Sequence, residues 1–393
     1  MNYLLFDDYR WKQLLPLTYT RPVCEIRTGI LTIREKWSLR TGISFSWLTQ
    51  PYLQEKYPSR LSSDNMIING GMLPSEEVIR AIEQLKKGEG LYKGETLLAA
   101  RVSGEDCRDI SQINLHKRNY ESEAWLIEFP WDIFVFNHRA IEEDFRLITA
   151  HRHSLPASNT NHLIRSERIF IEEGARVECS VLNATEGPIY IGKEAEIMEG
   201  SLIRGPFAMG EHAIVKMGAK IYGPVTLGPY CRAGGEISAS VMFGYSNKAH
   251  DGYLGNAVIG EWCNLGANTN NSNLKNNYAE VKMWSYVKES FIPTGLQFCG
   301  LVMGDHSKTG INTMFNTGTV VGVNANIFGA GYPRNFIPSF SWGGPEKMQE
   351  YPLNKAIEVA EKVMQRRNVV LTETDKKILQ TVFNITKKYR HFS

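Results

Sequence analysis

The sequence predicts an α/β domain, then a parallel β-helix of hexapeptide repeats, then a C-terminal pair of helices. Two observations carry the middle part. An aliphatic residue recurs every six positions at Ile191, Ile197, Ile203, Met209, Val215, Ile221 and Leu227, and Gly192, Gly210 and Gly228 directly follow three of them. A six-residue period sets one inward side chain per short strand, and glycine permits the tight turn to the next face. Helices would show those aliphatics on changing faces and would be weakened by the glycines. A third observation sets the ends: outside the repeat, apolar runs and helical spacing replace the period.

In chain order, Leu4–Phe6 and Met66–Gly70 are apolar and strand-like, and residues 75–87 carry helix spacing with Ser75 as the cap. The repeat resumes at Val241, Asn247, Tyr253, Ile259, Leu265 and Asn271, and again at Met303, Thr309, Phe315, Val321 and Ile327. Residues 272–300 break the register, as a protruding loop or as irregular coils. Leu353–Arg367 and Thr372–Tyr389 read as helices, the second opening on a Thr-capped acidic turn. The expected domains are residues 1–155, 156–340 and a tail at 341–393.

Lysine and arginine number 44 against 42 acidic residues, for a formal charge of +2, with no basic block of the kind nucleic acid requires. The opening MNYLLFDDYR lacks a basic leader and no stretch approaches ~18 apolar residues, so neither export nor a membrane partner is expected. The 6 cysteines are scattered without a C-x-x-C pair, which suits reduced thiols and a cytoplasmic chain.

The segment LLPLTYTRPVCEI (14–26) resembles the start of nucleoside-triphosphate sugar transferases, where a Gly-rich G-x-G-T-R loop precedes P-L-T and P-K follows. Here Tyr9-Arg10-Trp11-Lys12-Gln13 replaces the glycines and Val23 the lysine. Bulky Tyr9 and Trp11 oppose the close backbone approach that a triphosphate needs. INGGMLP (68–74) resembles the N-G-D-x-L strand end of the same family, with Gly71 where a magnesium-binding Asp is expected. The order of these motifs and the repeats resembles sugar nucleotidyltransferases with a left-handed β-helix, including the bifunctional N-acetylglucosamine-1-phosphate uridyltransferase and glucosamine-1-phosphate acetyltransferase family and chains labelled glucose-1-phosphate thymidylyltransferase. Asp7, Asp8, Arg10 and Arg21 could form an altered phosphate or sugar site. The alternative is two strand-end carboxylates and a structural ion pair.

The bifunctional family carries K-A-G-H-x-x-Y-x-G-D, then N-I-G-A-G-T, then C-N-Y. This chain has Lys248-Ala249-His250-Asp251-Gly252-Tyr253, Asn264-Leu265-Gly266-Ala267 and Ser272-Asn273 at matching spacing, with one residue missing before the His. The resemblance implies His250 as general base, Tyr253 and Asn264 on the acceptor sugar, Ala267 offering backbone to the acyl donor, and Asn273 orienting the amine. The family's acceptor-phosphate cations are absent here, and Arg232, Lys248 or Lys275 are the candidates to replace them. Imidazole, with an ordinary pKa near ~6.5, suits proton removal from an attacking amine. The competing reading makes His250 a corner residue satisfied by a carbonyl. His306, within an unbroken repeat, reads as structural.

The first functional reading is therefore acyl transfer, with acetyl-CoA as co-substrate, to an amino-sugar phosphate or nucleotide sugar. The second is sugar-1-phosphate nucleotidyl transfer by the first domain, which alone would call for magnesium. The third is a non-catalytic sugar-nucleotide-binding scaffold. The resemblance implies a homotrimer.

Overall fold

The structure is a computed structural model describing residues 1–104, 106–108, 110 and 114–392. It divides into two compact units, one of Met1–Leu14, Thr20–Ile26 and Leu31–Phe129, the other of Leu15–Tyr19, Arg27–Ile30 and Pro130–Ser393.

The first unit is built on a six-stranded sheet. Asn2–Phe6 lies between Ser46–Leu48 and Asn65–Asn69, all parallel, so the two expected apolar runs become neighbouring strands. Leu4, Phe6, Ile67, Ala100 and Val102 bury together on one face. The expected helix spans Glu76–Glu83, and the Ser75 hydroxyl accepts from the Val78 N–H at 3.2 Å. Its last turn gives way before Gly88, whose φ of 83° a helix cannot hold.

The second unit contains the left-handed parallel β-helix: three faces of short strands, the longest face a nine-stranded sheet. All seven aliphatics of the first run lie in one core cluster. The second run is corrected by one residue. Ile237, Met242 and Leu254 point inward, whereas Asn247 and Tyr253 are only part-buried and project from the faces. The cause is a shortened corner: Ile237 to Met242 and Leu254 to Ile259 are spaced by five, with Ala239 and Asn256 in the left-handed region at φ 44° and 47°. The expected register returns at Ile259 and holds through Met303, Phe315, Val321 and Ile327.

Residues 272–300 are the protruding alternative. Lys282–Ser285 and Ser290–Pro293 form an antiparallel hairpin, and Trp284 stacks on Phe336 with centroids 4.2 Å apart. Both terminal helices are present, Leu353–Gln365 and Glu373–Ile385. The second opens with reciprocal Thr372–Asp375 hydrogen bonds, and Phe383 packs edge-on against Phe340. Family resemblance and compactness divide the chain differently. The unit changes after Phe129, ahead of residue 155, because helix Asn137–Thr149 packs on the β-helix, Asn137 Oδ1 accepting from the Thr226 hydroxyl at 3.0 Å.

One corner carries a column of rings that the glycine rule does not anticipate. His212, Tyr230, Tyr245, Trp262 and His306 all adopt positive φ and stack face to face from coil to coil. Ring stacking offsets the backbone strain of about 1 kcal/mol per residue. His306 is one of these stacked rings.

Candidate functional site

His250 occupies the corner between strands Asn247–Lys248 and Tyr253–Gly255, with its side chain exposed. The corner is tight because Gly252 turns at φ 113°, and a Cβ there would meet the Thr269 carbonyl oxygen at 2.3 Å. Lys248 anchors it from inside. This lysine fills the inward slot that Ala233 holds on the preceding coil, and it is 1 % exposed. Its Nζ donates to the carbonyls of Gly234 at 3.0 Å and Asp251 at 3.1 Å, and also to that of His250. Burial lowers its pKa to about 8, opposed by the Asp251 carboxylate. Lys248 was expected on the acceptor phosphate. Its ammonium points into the solenoid instead, because three carbonyls solvate it there.

Tyr253 begins the strand that leaves the corner. Asn273 donates to the Tyr253 Oη at 2.9 Å and to Asn256 Oδ1 at 2.8 Å, so two expected site residues are in direct contact. Burial raises the Tyr253 pKa and keeps it a neutral phenol, against the opposing pull of Asn273. The Ala267 corner stacks on that of His250: Asp251 O accepts from the Asn268 N–H at 2.9 Å. The Ala267 carbonyl accepts from Asn312 at 2.9 Å, leaving its N–H as the group it can offer. Asn264 is exposed beside Asn247, whose Nδ2 lies 3.4 Å from its Oδ1. Arg232 pairs with Asn247 one coil back on the same face, so the structure gathers these residues onto successive coils.

The N-terminal candidates also meet, but against one another. Asp7 accepts from the Val23 N–H at 2.9 Å and the Thr49 hydroxyl at 2.5 Å, and burial lifts its pKa to about 7. Asp8 pairs with Arg10 and accepts from Asn69 Nδ2 at 2.8 Å. Arg10 is 2 % exposed and also bridges Glu128 at 2.7 Å. Two carboxylates thus neutralise the guanidinium expected to meet phosphate. Arg21 is 3 % exposed and engaged within the protein. A Cβ on Gly71 would lie 3.2 Å from Arg10 Cδ and 3.3 Å from the Ile127 carbonyl, so a carboxylate there would crowd Arg10 and the chain at Ile127. These donors do not fit magnesium. Among the described residues no three His, Cys, Asp or Glu cluster as metal ligands.

Sequence reasoning missed Glu128, which lies 118 residues from Arg10 with no local signal, and Lys308 and Arg367, considered below. A cavity of about 450 Å³ lined by Trp284, Phe336, Met348 and Tyr389 contains none of the candidate residues. Among the described residues no helix is long and apolar enough to cross a membrane.

The chain thus carries an α/β sheet in its first unit and a hexapeptide β-helix in its second. Residues 3–153 match the family model described as sugar nucleotidyl transferase. The bifunctional protein GlmU of Methanocaldococcus jannaschii is 36% identical over 92 residues, covering 23% of this chain and 22% of the relative. The bifunctional sugar-1-phosphate nucleotidylyltransferase/acetyltransferase of Sulfurisphaera tokodaii is 37% identical over 93 residues, 24% of this chain and 23% of its own length. The alignments thus span under a quarter of these curated relatives. The solved Arabidopsis UDP-N-acetylglucosamine acyltransferase aligns over 54% of this chain and 77% of its own, at 13% identity and a TM-score of 0.26, too slight a likeness to support an argument.

Proposed function

We propose that the β-helix transfers an acyl group, acetyl in the first instance, from a coenzyme A thioester to the amine of an amino-sugar phosphate or nucleotide sugar. One observation carries this reading: His250 projects to solvent from a corner that Lys248 ties to the core, beside the contacting Tyr253–Asn273 pair. Nothing in scaffold packing requires an exposed imidazole on so constrained a corner. As the amine nitrogen attacks the thioester carbonyl, His250 takes its proton, the C–N bond forms, the C–S bond breaks, and the thiol leaves with a proton. The Ala267 N–H and Asn273 are the neutral donors available to the developing oxyanion. The functional unit is a homotrimer in the cytoplasm, each site completed by a neighbouring copy.

The experiment is a panel of amino-sugar phosphates and nucleotide sugars mixed with acetyl-CoA and assayed for thiol release. Acceptor-dependent thiol is the expected result, and its absence across the panel overturns the reading. The family match over residues 3–153 favours a second reading, nucleotidyl transfer. It would appear as magnesium-dependent pyrophosphate release lost in Asp7→Ala or Asp8→Ala. The closed Asp8–Arg10–Glu128 network weighs against it.

A further inference from the structure

Three cations with no ion-pair partner among the described residues line one outward column of the β-helix. Parallel pairing sets Arg232 beside Asn247, and two isolated bridges set Asn247 beside Asn264 and Asn264 beside Lys308. These four residues therefore share one line across four coils, while their successors Ala233, Lys248, Leu265 and Thr309 are buried in the interior. Arg367, just past helix Leu353–Gln365, reaches the same line and donates from Nη2 to Asn247 Oδ1 at 3.1 Å. Lys308 Nζ donates to the His306 carbonyl at 2.8 Å. Arg232 Nε is buried with no acceptor among the described residues.

Gathered cations normally recruit carboxylates, since each otherwise raises the cost of the next. Here none does so among the described residues. Burial, then Arg232, holds the Arg367 pKa below its usual value with no carboxylate opposing, and burial lowers Lys308 to about 8. Glu261 makes itself felt at Tyr245 and Cys231, on the adjoining corner, and not at Arg367. Such a potential suits an anion that arrives from solution. The strand spacing puts the Arg232 and Lys308 backbones roughly 14 Å apart, and long side chains can close that to the span of one or two phosphoryl groups.

We propose that Arg232, Arg367 and Lys308, with the amides of Asn247 and Asn264 between them, bind the phosphoryl oxygens of a sugar phosphate or a nucleotide diphosphate sugar. This deepens the acyl-transfer reading, on which it rests for the acceptor's identity, by assigning the acceptor's charged end. Its test needs no turnover.

Calorimetric titration of the full chain with inorganic pyrophosphate, an amino-sugar phosphate and a UDP-sugar is the experiment, on wild type and on Arg232→Gln, Arg367→Gln and Lys308→Gln. Wild type should bind saturably, more weakly as salt rises, and each variant should lose on the order of tenfold in affinity. Lys220→Gln, on a different face, should change nothing. Tighter binding of the UDP-sugar assigns the site to a diphosphate, and tighter binding of the sugar phosphate assigns it to a monoester. No saturable binding, or equal affinity in wild type and all three variants, overturns the proposal. Retained binding in His250→Ala without turnover separates this site from the catalytic assignment.

Discussion

A lysine ammonium inside a β-helix carries a desolvation cost that no aliphatic residue would, so Lys248 must be repaid by what it holds. It holds the carbonyls of Gly234, His250 and Asp251. Lys248→Met keeps the shape and removes that tether. Turnover should fall on the order of tenfold or more, as the imidazole drifts from its working position. Stability gives an independent check. The folded-state pKa is about 8 against an ordinary 10.5, so between those values the unfolded chain binds more protons than the native one, and wild-type stability rises with pH. The stability of wild type relative to Lys248→Met should therefore increase from about pH 8 to 10.5 in urea titrations. A difference flat in pH would show that Lys248 is not held as described. The motif spacing made His250, Tyr253 and Asn273 legible in the sequence. The inward turn of Lys248 was hidden, because a lysine in an amphipathic pattern reads as outward and only backbone carbonyls brought together by coiling reverse that. The same applies to Arg10, whose partner Glu128 is remote in sequence.

At the scale of elements, the corners decide what the repeat can carry. The hexad period was readable because inward side chains must be apolar and evenly spaced. The two five-residue spacings were not, because Ala239 and Asn256 turn the chain without a glycine to mark them. Glycines on one column of corners test this reading. Gly218 and Gly252 both have positive φ, at 68° and 113°, but a Cβ on Gly218 meets nothing within 4 Å whereas one on Gly252 meets the Thr269 carbonyl oxygen at 2.3 Å. Gly218→Ala should cost about 1 kcal/mol from backbone strain alone. Gly252→Ala should cost clearly more, on the order of 3 kcal/mol, because the coil must also move. Thermal unfolding of both variants measures the difference, and equal costs would contradict the close packing of the His250 corner on its neighbour.

For the whole molecule, the first unit matches the sugar nucleotidyl transferase model over its strands, and at Gly71, where that resemblance implies a carboxylate, Arg10 packs close by. Arg10 lies where a Gly71 side chain would extend, so Gly71→Asp should destabilise the protein and should not create magnesium-dependent pyrophosphate release. Appearance of that activity would reopen nucleotidyl transfer. The departures at residues 9–13 and 71 were visible in the sequence, but their common cause was not, since it is a network closed only by folding. The β-helix, in contrast, presents its candidate site outward. The most direct measurement of acyl transfer there is acceptor-dependent thiol release per folded protein in wild type and His250→Ala, with melting temperatures taken on the same samples. Loss of a general base should lower turnover by roughly 10² to 10⁴ while the melting temperature holds, since the exposed imidazole contributes little packing. Unchanged turnover with a lowered melting temperature would instead make His250 a scaffold residue and contradict catalysis at this corner.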